Sequence, residues 1–565
     1  MPETKKASCL FCSLQCGFAM ETDAGVPVKI DFDTDARQNK GSLCVRGHYN
    51  QELLLHPKRF LAATINRRRV PWTTAVTKVA GGISEIKGGH GGDALGMIVG
   101  TELSNEDYDA AVAFARDVLG TKNIAVAYDG NDYPFLMGGG AGDASPEDLD
   151  DAHCFVLVGD VFWGHPCVAK RVIEARHAAR SNRIFTINPF RTNTDWFADR
   201  HIACRPGAEP LVLAGLLTAM NARDIPKVDL ERAAEAAGLT GAELTAIAND
   251  IKRQERVVVL ASSRLGDSAA WYLTGVLAAK LAQAAGGKYG PLFRGGNAVG
   301  AFERVGSERT VPGLLGDLEG KKIKGLLVFG PDLLQLYPGA LAADDLEGLG
   351  LLVASSIFEN DTTKHSDVAL PQAVWTEFAG SYAASFGIAT SIEPMVAPQG
   401  EAVSVAAMLG AVAVELGTKL QVAGAKAEHP PLDVDVERVL SGMGAAAVGD
   451  RLELDLVEGI HPLHRWDGTI TGRMSFAQSQ TPYCEIWMAP GAAAELDVEQ
   501  GASVALSTDR GETRIIATVT DRMPTELVAI PSYVPDARGL MVWTPNAGTR
   551  WYDVSASGAK VTAEG

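Results

Sequence analysis

Four cysteines crowded into the first 44 positions constrain this chain more than any other feature. Cys9-Leu-Phe-Cys12-Ser-Leu-Gln-Cys16 is a C-x₂-C-x₃-C run, and Cys44 follows after 27 intervening residues. Eight cysteines in 565 residues are too sparse for a disulfide framework. A ligand set explains the crowding. Three thiolates on one tight loop can wrap a face of an iron–sulfur cube while a fourth returns from elsewhere, which suits a [4Fe–4S] cluster on Cys9, Cys12, Cys16 and Cys44. A structural Zn site also takes four thiolates, but it more often presents two C-x₂-C knuckles and here there is one. Spacing alone leaves both readings open.

A chain of 565 residues exceeds one hydrophobic core, so several domains are expected. Its 46% hydrophobic and 21% charged residues are those of a globular protein, which excludes a largely disordered one. The net charge of −18 repels polyphosphates and anionic lipid, so nucleic acid is not an expected partner. The longest apolar stretches, Trp271–Ala285 and Ala402–Leu416, are broken by polar residues and short of the roughly 20 needed to span a bilayer, so no membrane insertion is expected. No apolar signal core or twin-Arg pair precedes Cys9, and the expected compartment is the cytoplasm.

Apolar runs at Gly96–Val99, Cys154–Gly159, Arg183–Ile187, Arg256–Ala261, Gly325–Phe329 and Leu351–Ala354 read as buried strands, with amphipathic windows such as Asn105–Leu119 and Val168–Ala179 between them. That alternation predicts parallel sheets covered by helices. Gly159 and Gly330 end strands in similar contexts, which points to two related α/β halves and to positions lining a nucleotide crevice. Residues 401–449 read as a helix and a linker. From about Pro482 short alternating segments punctuated by Gly501, Asp509-Arg-Gly511 and Asp521 read as barrel strands.

Around the fourth cysteine stand Cys44-Val-Arg-Gly-His-Tyr, Leu55-His-Pro-Lys-Arg-Phe-Leu and Val70-Pro-Trp-Thr-Thr-Ala. Leu103-Ser-Asn-Glu-Asp, Gly120-Thr-Lys-Asn-Ile, Arg205-Pro-Gly-Ala-Glu209, Gly296-Asn-Ala-Val-Gly-Ala and Ser366-Asp-Val-Ala-Leu-Pro371 follow in order. In these steps the chain resembles the molybdopterin oxidoreductase superfamily of formate dehydrogenases and nitrate reductases, and is closest in character to the large iron–sulfur subunit of NADH:quinone oxidoreductase. The resemblance implies a multi-domain α/β protein. Its expected parts are a [4Fe–4S] domain at 1–60, one discontinuous α/β domain at 61–123 with 311–440, another at 124–310, and a C-terminal β-barrel of molybdopterin dinucleotide-binding type at 450–565.

The same resemblance marks Gly159, Asp160, Asn188, Pro189, Arg191, Pro206, Gly207, Glu209 and Asn297 as a pocket for molybdopterin guanine dinucleotide carrying Mo or W. Arg46 replaces the family's Lys between cluster and pterin, and is the expected electron relay. Two departures bear on function. The window Asn123–Asp151, where the family places its metal ligand, holds no Cys and offers only Asp129, Asp132, Asp143 and Ser145, within or beside a turn-like Tyr128–Pro134. The nucleotide-loop Asn-Pro is absent after Gly159 and Gly330. The expectation is therefore a redox subunit passing electrons through one cluster to flavin or iron–sulfur partner subunits, without catalytic Mo or W. The alternative is a Mo/W-bis(pterin guanine dinucleotide) oxidoreductase, formate dehydrogenase-like; a third is a Zn-bound scaffold. His48 and His165 beside turns read as structural.

Overall fold

Sheets that are buried on both faces set the architecture, and their strands come from widely separated parts of the chain. The computed structural model describes residues 3–443, 455–459, 463–465, 468–481, 484–531, 533, 535–555 and 558–563. The chain opens with an antiparallel sheet of Glu3–Ser8, Gly17–Asp23 and Val26–Phe32. The cysteine run is the connection between its first two strands.

A seven-stranded sheet has the order Arg68–Arg69, Thr64–Ile65, Val368–Pro371, Leu351–Ser356, Gly325–Phe329, Leu95–Val99, Ile124–Val126, the last five parallel. A second sheet, all parallel, has the order Arg200–Ile202, Arg183–Ile187, Cys154–Val158, Val257–Ser262, Lys288–Leu292. Helices cover both faces of such sheets, so central strands such as Val257–Ser262 read as unbroken apolar runs.

Helix boundaries follow local chemistry. Ser104 and Asp107 form a capping box at Asn105–Ala113, and the helix widens into a π-turn at Phe114–Leu119 before Gly120 ends it in the left-handed region. The helix expected at Val168–Ala179 starts earlier, at Pro166, because proline suits the first helical turn. After the helix Val405–Glu415 the chain runs irregularly to Val436–Gly442.

The C-terminal region is a mixed sheet in the order Asp455–Gly459, Leu527–Pro531, Glu485–Met488, Gly511–Val519, Ser503–Thr508, Lys560–Ala563. Among the described residues no pairing joins its two edges, so the expected barrel is here a sheet domain. The domain boundary expected between 440 and 450 falls largely on residues 444–454, and the change of character was placed at Pro482; both lie outside the described residues. No described helix is long and apolar enough to cross a membrane.

Candidate functional site

Residues 9–16 turn back between antiparallel strands. The Cys9 N–H donates to Cys16 O at 2.9 Å and the Gln15 N–H to Cys12 O at 3.2 Å, with Gln15 left-handed at φ +50°. The loop is pinned from below: Gln15 Nε2 donates to Gly296 O at 2.7 Å, and the Ser13 N–H to Phe293 O at 3.1 Å. A Cβ on Gly296 would sit 2.2 Å from Leu10 O, so glycine is what lets the loop come this close. Cys44 returns at the extended N-terminal flank of the short helix Val45–His48.

Cys9 and Cys16 are buried, Cys12 and Cys44 half-buried, and their charges interact. Burial pushes the Cys9 thiol well up, and Cys12 to about 12 against the pull of the Arg46 guanidinium. Cys44 is held well below the usual thiol range by a hydrogen bond from Cys167, then by Arg46 and the Gly47 N–H, against the cost of burial.

Arg46 is buried and spans the gap to the α/β domains. Its Nη2 donates to Gly164 O at 2.8 Å and its Nη1 to His464 O at 3.4 Å, while the side chain also bonds Cys44. His165 next to it engages Phe293 O through Nε2 at 2.8 Å; burial pushes its pKa down to about 3, so the ring is neutral at ordinary pH. His48 is exposed and stacks on Phe32.

In the five-stranded sheet the connections leave in opposite directions from Cys154–Val158 and Val257–Ser262, so the crevice opens at their carboxyl ends. Gly159 has φ +76°, and a Cβ there would lie 2.3 Å from Ser262 O. Asp160 Oδ1 accepts the Thr194 hydroxyl at 2.8 Å and the Thr192 hydroxyl at 3.1 Å. Its Oδ2 is buried with no partner, as is Asn188 Oδ1, although Asn188 Nδ2 donates to Phe190 O at 3.0 Å. Each such oxygen costs about 1–3 kcal/mol unless a ligand donates to it. After Asn188 and Pro189, Arg191 lies on a cavity of about 530 Å³ with Asp195, Trp196, Arg200 and His201, and Arg522 of the C-terminal domain covers Trp196 at 4.7 Å. Pro206 and Gly207 form the turn that buries Glu209, whose Oε1 accepts from Arg264 Nη2 at 2.5 Å. The two unpaired buried oxygens are acceptors a bound ligand's donors could satisfy, and the loop that follows them carries Arg191 to a cavity with cationic and aromatic lining. Asn297 differs: its amide donates to Leu103 O and Asn105 Oδ1 and accepts the Ala383 N–H, so it is spent on joining protein segments.

The seven-stranded sheet repeats the device. Gly330, at φ +100°, leaves the strand Gly325–Phe329. Asp332 Oδ1 accepts the Thr362 hydroxyl at 2.8 Å, and that oxygen accepts the Leu333 N–H at 2.8 Å. At the first exit the Thr194 hydroxyl, bound to Asp160, likewise accepts the Phe162 N–H at 3.0 Å. Phe162 and Leu333 each stand three residues beyond the strand-exit glycine.

Of the four oxygen candidates in the window, Asp143 pairs with Lys288 at the surface and Ser145 caps the helix Pro146–Asp150, so neither reaches the crevice. Asp129 lies between Arg294 and Arg538 at 3.7 and 3.5 Å. Asp132 is no turn residue but starts the helix Asp132–Gly139; its Oδ1 accepts Ser263 Oγ and its Oδ2 the Arg294 N–H, both at 2.6 Å. The sequence reading missed Ser263, Arg264 and Arg294. The available signal was their place immediately after the apolar strands Val257–Ser262 and Lys288–Leu292.

Burial pushes the Asp132 carboxyl up to about 7 despite Arg294. A raised carboxyl stabilises the fold fully below its unfolded pKa of about 4 and loses that contribution as pH rises through about 7. The Tm of Asp132→Asn relative to the unsubstituted protein is therefore expected to climb between pH 5 and 8. A difference that stays flat would contradict this assignment.

The molybdopterin oxidoreductase family profile matches residues 66–415, its Fe4S4 domain residues 2–55, and the molybdopterin dinucleotide-binding domain residues 457–560. The chain is 24% identical to a nitrate reductase of Klebsiella oxytoca over 71% of this chain and 53% of that one. It is 24% identical to the NADPH-Fe(3+) oxidoreductase subunit alpha of Geobacter sulfurreducens over 71% and 54%, and 24% identical to the F420-dependent formate dehydrogenase subunit alpha of Methanocaldococcus jannaschii over 72% and 70%. It thus spans about half the length of the first two relatives. The acetylene hydratase of Pelobacter acetylenicus shares the fold at a TM-score of 0.76 and 14% identity, over 99% of both chains.

The Fe4S4 match displaces the Zn-scaffold reading, and the dinucleotide-binding match favours the pterin alternative over a relay without Mo or W. The relay expectation leaned on the missing Cys ligand and the missing Asn-Pro; on the second point, the strand exits carry their polar groups on Asp160, Asn188 and Asp332 instead. The chain carries both an iron–sulfur domain and a molybdopterin dinucleotide-binding domain, and with a profile match over residues 66–415 it belongs to the molybdopterin oxidoreductase family.

Proposed function

We propose that this chain is a Mo- or W-dependent oxidoreductase of formate dehydrogenase-like type, in which two pterin guanine dinucleotides occupy the two strand-exit crevices and one [4Fe–4S] cluster carries electrons to a partner. The observation that carries this reading is the repeated glycine, aspartate and threonine device at Gly159–Asp160 and Gly330–Asp332. One dinucleotide would be held by Gly159, Asp160, Asn188 and Arg191, with Glu209 and Arg264 beneath it; the other by Gly330 and Asp332. When bound, the metal and its pterins supply a two-electron redox centre.

The protein's own groups do the rest. Arg46 keeps a fixed positive charge between the cluster thiols and the Asp160–Gly164 segment, which favours electrons at that point and ties the two sites together. Asp132, whose carboxyl burial pushes up to about 7, titrates near neutral pH beside Arg294 and Ser263, a place suited to accepting or returning the proton that accompanies electron transfer. Burial of these groups excludes water. Two relatives are named subunit alpha, which supports work with redox partner subunits.

Protein produced in a host that makes the dinucleotide cofactor is expected to reduce a viologen dye with formate. Cofactor-loaded protein that is inert to formate but turns over nitrate would move the substrate assignment to the nitrate reductases.

A further inference from the structure

Val26–Phe32 is an outer strand of the N-terminal sheet, and the helix Gln51–Leu55 lies against it. Val26, Val28, Phe32 and Leu55 are four of the nine large apolar side chains left exposed among the described residues, although all four fall within the first 55 positions. Single exposed apolar residues need no explanation, but several gathered on one face mark a surface that another molecule covers. Val28 is the extra residue of a bulge, where the pairing passes from Glu21 with Lys29 to Thr22 with Pro27, and bulges re-aim side chains. Phe32 joins this face to two of the four cluster cysteines. It pairs with Phe18, two residues after Cys16. Its ring also stacks on His48 at 6.2 Å, and the His48 N–H donates to Cys44 O at 3.0 Å.

We propose that this face docks a one-electron carrier protein whose own docking face has an apolar centre ringed by Lys and Arg. The proposal rests on the reading that a [4Fe–4S] cluster passes electrons to a partner. Charge selects the occupant. Glu21, Asp23, Asp31, Asp33 and Asp35 surround the apolar strand, against two lysines: Lys6, which bonds both Asp33 and Asp35 at 2.7 Å, and Lys29, which bonds Asp31 at 2.7 Å. Glu52 and Lys58 flank Leu55 and balance one another. A second copy docked face to face would set these carboxylates against themselves, whereas a basic rim would be drawn to them. Four apolar side chains make a small centre, which suits the brief encounters of electron carriers better than a permanent subunit contact. In the transfer the reduced cluster gives one electron to the carrier's oxidised group, and no bond or proton moves.

The test uses the full chain with its cluster reduced by dithionite, freed of excess reductant and mixed rapidly with ferricytochrome c, a carrier with a lysine rim. The comparison probe is the same cytochrome with its lysines succinylated, and an uncharged benzoquinone serves as a small acceptor. The bimolecular rate with native cytochrome is expected to exceed that with the succinylated form by about ten-fold or more at low salt, and to fall steeply as salt rises. Val28→Ser, Phe32→Ser and the double variant Glu21→Gln, Asp23→Asn should each slow the cytochrome reaction by about five-fold or more and leave the benzoquinone reaction unchanged. A succinylated cytochrome that reacts as fast as the native one would overturn the proposal. So would variants that slow both acceptors alike, which marks a change in the cluster and not in docking. A dimer of this chain that Val28→Ser and Phe32→Ser dissolve would overturn it in favour of a second copy, and absence of iron would overturn it together with the cluster assignment. Because the electron enters from dithionite, the expected cytochrome results from protein inert to formate would support the docking face and count against the proposed function alone.

Discussion

Cys44→Ala is expected to abolish the [4Fe–4S] signal, with iron falling from about four per chain to three or fewer. The effect is large because the other three ligands would come from one loop, and Cys44 is the one that comes from a different segment, at the start of the helix Val45–His48. The loop itself should survive, since its anchors to Phe293 and Gly296 involve Ser13 and Gln15 and not Cys44. Iron analysis and low-temperature paramagnetic resonance of the reduced protein check the outcome. A signal unchanged in shape and amount would mean that another thiolate closes the cube, and Cys167 would be the one to remove next.

Gly159→Ala should have the second large effect. The position is left-handed, and a Cβ would be forced to within 2.3 Å of Ser262 O in the neighbouring strand, where backbone cannot swing aside as a side chain can. A loss on the order of 3 kcal/mol or more is expected, together with displacement of Asp160 from the Thr192 and Thr194 hydroxyls. Thermal unfolding measures the first and pterin content the second. Gly207→Ala makes a fair control: it too is left-handed, but nothing lies within 4 Å of the added carbon, so only the backbone penalty of about 1 kcal/mol should remain. Equal losses at both positions would show that the Ser262 contact is not what fixes Gly159.

The cysteine loop was readable because its chemistry is local, with three ligands inside eight residues. The parallel strands were readable for a related reason: a strand covered on both faces must be apolar throughout, and Val257–Ser262 and Gly325–Phe329 are. Groups brought together only by the fold were not. Asp132 meets Ser263 and Arg294 across 131 and 162 positions, and nothing beside any of the three in sequence announces the others. Arg46 stands where the resemblance puts a Lys; the fold gives the guanidinium's shape a use, since a planar fork reaches Gly164 O, His464 O and Cys44 together, which one ammonium matches poorly. The missing Asn-Pro carries less weight than two residue types suggest, because the structure keeps the strand exits polar with Asp160, Asn188 and Asp332.

The central claim is that the two strand-exit crevices seat a metal-bearing pair of pterins in a chain that also holds a cluster. Protein made in a cofactor-competent host and purified without oxygen should carry, in one sample, about one Mo or W, about two extractable pterin guanine dinucleotides and about four iron per chain. About four iron with neither Mo, W nor pterin would contradict it.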